Sequence, residues 1–499
     1  MECPIGEEMK PVVEKKKCYG CGKCMEMCPT HAIHMKKDEE GFLYPCIEEE
    51  KCIECGICRK SCISNLDCSK KADTEQVYAC VPKDRTIQEN STSGGLGYLL
   101  ANYILCKNGV VYGAAWNERK VQHIRVSRRE ELYRIQGTKY VQSDISLVLK
   151  DMIQDAKNNR QILFSGTPCQ VAAVRSLLGD YENLYGVELV CMGCPSPKVW
   201  EMHLESCEKR WGGISEVKFR DKITGWKTSC LSYMVGEEKK YTLPNLDTYM
   251  VGFGQCLFLR PSCHSCQFKG NNSKGDIKIG DFWGIENDDD YGTRERGVSL
   301  AIIESKKGEE LFSSIKAEME IKKQTYHFAL SHNPCIEINK RPSKNRPAFF
   351  EEVNNGGQDM DELIKKYCLP QPGEKDRYWC QYPVVNNLLR LKVEGKGIRP
   401  YFETNHFQNI IVYGMGELGK LFVRMLQQEG IMVQCIIDKN YKRFPEQFEG
   451  VPVVGPHDIH NYEYDCVIVS LVHLYNSVLE TLLAQGVDIN KILSMGSIV

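Results

Sequence analysis

Between Cys18 and Cys62 the chain writes one cysteine pattern twice: Cys18-x-x-Cys21-x-x-Cys24-x-x-x-Cys28-Pro29, then Cys52-x-x-Cys55-x-x-Cys58-x-x-x-Cys62. Three closely spaced thiolates wrap one inorganic cubane, while the fourth of each run crosses to the other. The pattern therefore assigns Cys18, Cys21, Cys24 and Cys62 to one [4Fe–4S] cluster, and Cys52, Cys55, Cys58 and Cys28 to a second. Structural zinc sites instead use pairs of C-x-x-C separated by a longer loop. Ile63 rather than proline follows Cys62, a small departure in the second copy. Between the copies, Gly41-Phe42-Leu43-Tyr44-Pro45 reads as a turn and a short strand.

The 26 cysteines in 499 residues need a reducing compartment if they hold metal rather than disulfides. The start, Met-Glu-Cys-Pro-Ile-Gly-Glu-Glu, has neither the basic nor the apolar region of a secretory signal. No apolar run approaches the roughly 20 residues of a membrane-spanning helix. A net charge of −2 supplies no basic surface for nucleic acid or membrane. The expected location is the cytoplasm, and the length implies several domains. Throughout residues 18–62 the chain resembles bacterial-type two-cluster ferredoxins, which implies electron transfer.

After a stretch rich in Lys, Asp and Ser near 68–78, a new domain begins about Val77. Ser93-Gly94-Gly95 precedes an apolar helix, and such small-residue loops either cradle an anion or simply turn the chain. Further on, Ile145, Val148, Leu149, Met152 and Ile153 recur at helical spacing behind Asp144. A strand at Ile162-Leu163-Phe164 leads through Thr167-Pro168-Cys169 into a helix, and a strand ending at Val190 leads through Cys191 into another. This repetition predicts parallel strands, with Cys169 and Cys191 on the same rim of the sheet and each near a helix N-terminus. Two rim thiolates plus Cys263-His264-Ser265-Cys266 would complete a third [4Fe–4S] site, in which Cys194 competes with Cys191. Arg220 and Lys222 read either as phosphate ligands or as a solvated turn, and Trp283 reads as core. No side chain stands out as a general acid; His123, Lys139 and Arg220 are the candidates.

Five local patterns, in order, resemble the beta-subunit family of coenzyme F-420 hydrogenases and dehydrogenases: Ser93-Gly94-Gly95, Gly137-Thr138-Lys139-Tyr140, Thr167-Pro168-Cys169-Gln170, Val190-Cys191-Met192, and Cys263-x-x-Cys266 followed by Gly275-Asp276-Ile277. The resemblance covers roughly 76–335 and implies FAD beside one [4Fe–4S] cluster. It implies Cys169, Cys191, Cys263 and Cys266 as ligands, with no counterpart for Cys194. By analogy, Ser93, Gly94, Gly95, Gly137, Thr138 and Lys139 line the flavin. At Phe219-Arg220-Asp221-Lys222, Gly225-Trp226 and Ile279-Gly280-Asp281-Phe282-Trp283-Gly284 the chain is similar to a bacterial branch of this family with a fused ferredoxin, which often serves cell-surface polysaccharide pathways.

Residues 341–404 turn irregular, with Pro370-Gln371-Pro372-Gly373 and two short helical stretches near Leu363 and Leu388, and read as a linker. From Asn409, a strand runs into Gly414-Met415-Gly416-Glu417-Leu418-Gly419, then a helix, then a strand ending at Asp438, 19 positions beyond Gly419. In this setting G-x-G-x-x-G is a dinucleotide fingerprint, with Gly414 making the turn, Gly416 letting the backbone approach a diphosphate, Gly419 letting helix pack on strand, and Asp438 at ribose hydroxyls. The unit resembles truncated Rossmann modules of glycan-modifying enzymes, which implies a nucleotide sugar or NAD(H), against an empty assembly module.

The expected architecture is multidomain α/β: a ferredoxin-like α+β head (1–75), a central α/β flavin domain with a mostly parallel sheet (76–340), a linker (341–404) and a Rossmann-like module (405–499). The leading functional expectation is an oxidoreductase in which ferredoxin or another redox protein, three clusters and FAD exchange electrons with a small-molecule acceptor. That acceptor is either a deazaflavin or an intermediate of glycan biosynthesis, and an oligomer is allowed for. The alternatives are a non-catalytic electron-transfer subunit and a nucleotide-sugar enzyme with vestigial clusters.

Overall fold

A computed structural model describes residues 12–68, 76–226, 229–285, 296–368, 384–391 and 394–498. The chain forms two compact units, Met1–Leu369 and Pro370–Val499. The turn cluster at 370–373 and residues 69–75 of the stretch expected to follow the head lie outside the described residues. Among the described residues no helix is long and apolar enough to cross a membrane.

In the head, strands β1 (Ile33–Lys37) and β2 (Leu43–Ile47) form an antiparallel hairpin, with Ile33 opposite Ile47 and Lys37 opposite Leu43. The sequence repeat reappears as two four-residue helices, Lys23–Glu26 and Ile57–Lys60, each led by a left-handed glycine, Gly22 or Gly56. The copies differ one turn earlier. Gly20, at φ +68, has no room for a Cβ, which would stand 2.7 Å from the Arg260 guanidinium. At the matching place in the second copy Glu54 adopts the same left-handed region at φ +51.

The central domain is built on β3 (Val77–Pro82), β4 (Val110–Asn117), β5 (Lys120–Val126), β6 (Ile162–Gly166), β7 (Leu184–Leu189), β8 (Ile214–Asp221), β9 (Cys230–Val235), β10 (Glu238–Thr242), β11 (Ile277–Asp281), β12 (Ser299–Ile303) and β13 (Met319–Gln324). Eight of these make one sheet in the order β13-β3-β12-β11-β7-β6-β4-β5. The middle strands β11, β7, β6 and β4 run parallel, while both flanks pair antiparallel. The helix Pro168–Leu178 starts with a capping box, Thr167 with Gln170, and proline in its first turn, so the chain leaves β6 at a defined angle. Strands β8, β9 and β10 form a separate antiparallel sheet.

Two stretches within 341–404, residues 346–355 and 360–368, pack into the central domain. Helices Arg346–Asn355 and Met360–Cys368 insert Phe349, Phe350, Leu363 and Ile364 into the aromatic core around Trp200, Phe219 and Tyr249. Apolar residues at helical spacing found a core to cover, and their burial outweighs the irregular composition around them. Beyond the break, Val384, Leu388, Ile398 and Phe402 belong to the core of the second unit.

That second unit holds β14 (Asn409–Tyr413), β15 (Met432–Ile437), β16 (Gln447–Phe448), β17 (Val451–Val454), β18 (Cys466–Val469) and β19 (Ile492–Ser494). The order is β16-β17-β15-β14-β18-β19, parallel except at β16–β17. Its strands carry continuous apolar runs, as strands covered on both faces do.

Candidate metal centres

Two cavities in the head are each walled by four sulfurs. One is bounded by Cys18, Cys21, Cys24 and Cys62, and the other by Cys28, Cys52, Cys55 and Cys58. Cys28 and Cys62 thus cross over, as the tandem spacing requires. Burial pushes the Cys21 thiol up to about 12. Burial raises Cys24 too, and Cys21, Cys18 and Cys62 add to it. Burial likewise raises Cys58, with Cys28 and Cys52 contributing. Thiols that resist ionisation together make poor free anions, but fit a donor set for cationic iron, which offsets the clustered charge. The first cavity faces the central domain, with Cys18 buried, whereas Cys55 in the second is exposed.

A third set of cysteines comes from separate places in the chain. Cys169 follows β6, Cys191 and Cys194 follow β7, and Cys263 and Cys266 lie at a short 3-10 turn, Pro261–Ser265. Burial first, then Cys266, Cys263 and Cys191, raise the Cys169 thiol, so the four sulfurs lie near one another. Cys194 joins them from one side. Its amide donates to Cys263 Sγ over 3.3 Å, and its single thiol proton lies within reach of Cys191 and Cys263. That contact pulls Cys263 down to about 7. The Cys191-x-x-Cys194 spacing was the signal for this fifth sulfur. A single tetrahedral zinc would hold its sulfurs about 3.8 Å apart. Among the described residues, the trio whose ligand atoms lie within 4.8 Å of one another is instead His203, Cys207 and Asp361. There the Arg210 guanidinium already contacts Cys207 and Asp361, which makes the trio part of a charge network.

The head is keyed to the central domain by Arg260, which is 1% exposed. It donates to Cys18 O at 2.7 Å, Leu43 O at 2.9 Å and Gln142 Oε1 at 3.2 Å. Its guanidinium carbon lies 4.3 Å from the Tyr44 ring centroid. Ser196 donates to Glu40 O, Arg346 grips the Glu40 carboxylate with two nitrogens, and the Lys23 ammonium spans Ser61 O and Ser176 Oγ.

Around the same sheet edge lie the two glycine loops. Thr138 N–H donates to Thr92 Oγ1 at 2.9 Å and ties them together. Gly94 backs onto the sheet, where a Cβ would stand 2.6 Å from Ser299 N, and Ser93 Oγ donates to Val298 O. Gly137 faces open space. Lys139 gives protons to Ala114 O and Gln136 O. Burial draws its ammonium down to about 7, and among the described residues no carboxylate pairs with it. His123 is held neutral by burial, at about 4; its Nε2–H donates to Ser165 O and its Nδ1 accepts from Ser143 Oγ. One nitrogen thus fixes the strand that leads to Cys169, and the other holds the segment at Ser143. Arg220 pairs with Asp281 at 2.9 Å and lies over Trp283, which stacks on Trp226 at 4.9 Å. Lys222 donates to Gln88 O, Ser93 O and Arg296 O. Neither cation sits in a solvated turn.

In the second unit, Gly419 closes on β14 so tightly that a Cβ would collide with Gly414 O. Gly416 caps the helix Glu417–Gln428. Asp438 is turned inward: its carboxylate accepts from Met415 N–H at 2.8 Å and Asn440 N–H at 2.7 Å. The acid at the expected offset therefore holds the glycine loop itself.

Comparison with known proteins follows this division. Residues 17–66 match the 4Fe-4S dicluster domain, residues 159–327 match the family described as coenzyme F420 hydrogenase/dehydrogenase, beta subunit (C terminus), and residues 406–493 match the C2185-like N-terminal family. Among solved structures, the F420-reducing [NiFe] hydrogenase complex from Methanosarcina barkeri, determined with xenon derivatization, is 18% identical, covering 58% of this chain and 94% of that chain with a TM-score of 0.37. No curated protein matches the chain. The protein is an iron–sulfur electron-transfer protein that joins a stretch matching the 4Fe-4S dicluster domain to one similar to the C terminus of coenzyme F420 hydrogenase/dehydrogenase beta subunits.

Proposed function

We propose that this protein is an iron–sulfur flavoprotein oxidoreductase, which links a one-electron carrier such as ferredoxin to a small organic acceptor. The observation that carries this reading is the meeting of Cys169, Cys191, Cys263 and Cys266 beside the glycine loops and Lys139, at the edge where the parallel strands end. The head supplies eight ligands: Cys18, Cys21, Cys24 and Cys62 for one centre, and Cys28, Cys52, Cys55 and Cys58 for the other. The four central cysteines would hold a third. FAD, when bound, supplies exchange between single electrons and a hydride.

The chain's own residues support a flavin diphosphate at the Gly137 side. The open glycine leaves backbone approachable, and Lys139 is a half-buried cation whose ammonium donates to the carbonyls of Ala114 and Gln136. Gly94 and Gly95 serve by shaping the edge, because the Ser93 hydroxyl is already spent on Val298. Arg220 and Asp281 hold the paired indoles of Trp226 and Trp283 at the same edge. A deazaflavin is the first acceptor to try, since the matched family is described by one; a nucleotide sugar is the second.

Anaerobic purification with iron, sulfide and flavin counts tests the reading. About twelve irons and one flavin per chain are expected, against about eight irons and no flavin if the central cysteines are only structural.

A further inference from the structure

The inner head cavity and the central cysteines are joined by one short bridge. Tyr19 directly follows Cys18, and Gln267 directly follows Cys266. The Gln267 amide N–H donates to the Tyr19 hydroxyl over a long 3.4 Å. The Gln267 side chain reaches the other way and donates to Ile63 O at 3.0 Å, next to Cys62. Phe268 meets the Tyr19 ring edge-on at 5.1 Å. Tyr19, Ile63 and Phe268 are buried in one apolar cluster, against which Cys21, Cys169 and Cys266 also lie. Residues next to two ligands of the inner head set thus touch the residue next to one ligand of the central set, with protein filling the space between.

The outer head set has a different setting. Cys55 is exposed, a Cβ on Gly56 would meet nothing within 4 Å, and Ile53 beside it is 64% exposed. This opening suits exchange with a carrier from outside, and the buried bridge suits exchange within the chain.

From these contacts we propose that Tyr19 and Gln267 form the electron path between the inner head centre and the central centre, making the order outer, inner, central. One electron leaves the reduced centre of the pair and arrives at the oxidised one. No bond is made, no proton moves, and Tyr19 keeps its oxidation and protonation state. The path rests on the third centre proposed for Cys169, Cys191, Cys263 and Cys266.

The test is rapid-freeze EPR of the full chain, loaded with iron and mixed with a reduced ferredoxin under anaerobic conditions. Tyr19→Phe keeps the ring and removes the oxygen, and Gln267→Leu removes the bond to Ile63. The double variant is expected to keep its iron and its cluster potentials while the central signal appears about tenfold more slowly, equivalent to about 1.4 kcal/mol of barrier. Arrival at the wild-type rate in the loaded double variant overturns the path. Should the double variant lose iron, Tyr19→Phe alone decides by the same readout: a slower central signal supports the path and an unchanged one overturns it. A wild-type count of about eight irons would instead remove the third centre itself, a failure read before any rate is measured.

Discussion

The amide of Cys194 lies 3.3 Å from the sulfur of Cys263, and the Cys194 thiol lies within reach of the same sulfur and of Cys191. Two ligands proposed for the central site therefore share a polar neighbour, whose amide donates to Cys263 and whose single thiol proton serves either sulfur. Donors to ligand sulfur favour the more negative, reduced cluster. Cys194→Ala should keep about twelve irons and move the central midpoint potential downward in an EPR-monitored titration, whereas Cys169→Ala should lose about four irons. Loss of about four irons from Cys194→Ala would make it a ligand and displace Cys191.

Arg260 is the buried pin of the head. Arg260→Ala removes the partners of two backbone carbonyls and the stacking surface of Tyr44. A cost of about 3 kcal/mol is expected, because groups bonded to a buried charge lose that partner without gaining water. Thermal unfolding would register it, and limited proteolysis should cut near the head sooner than in the wild type.

Lys139 provides a pH test. Burial lowers its ammonium to about 7 in the free protein, while an anion beside it would raise that value again. FAD affinity should then be level below pH about 7 and fall above it by up to about tenfold per pH unit, since binding must take up a proton. Lys139→Met should bind more weakly and show no such slope when FAD is titrated by fluorescence quenching.

His203 provides a second, with the opposite origin. Burial alone would lower its pKa, but Asp247, Asp361 and Cys207 outweigh it and raise the imidazolium to about 10. The unfolded value is about 6.5. The stability it contributes is whole below about 6.5 and is lost as pH rises through about 10. Asp361→Asn should cost about 3 kcal/mol near neutral pH, because it unpairs a buried charge. It should also flatten the fall of urea midpoint between pH 7 and 10.

Asp438→Ala tests the glycine loop of the second unit. Its carboxylate accepts two backbone amides, from Met415 and Asn440, so the substitution should lower stability by about 2 kcal/mol. Differential scanning calorimetry should show that transition move while the iron content stays unchanged.

Some of this organisation was local enough to be legible in the chain alone. The crossover of Cys28 and Cys62 follows from spacing within two short runs, because three sulfurs so close together wrap one cubane and leave the fourth for its neighbour. The strand–loop–helix units around Cys169 and Cys191, and the turn at Gly414, follow from periodicity and small residues at fixed offsets. Tertiary pairing decided the rest. Cys263 joins Cys191 and Cys194 because the backbone after β7 pairs with a distant segment, Arg260 N–H donating to Cys194 O and Ser196 N–H to Phe258 O, which no spacing rule contains. Helices 346–355 and 360–368 left the expected linker because an aromatic core lacked a cover. Arg260 became the key of the head only because Gly20, Leu43 and Gln142 converge on it. Short-range sterics and ligand spacing are written in the chain, while the pairing of distant charges and sulfurs is settled by which surfaces bury one another.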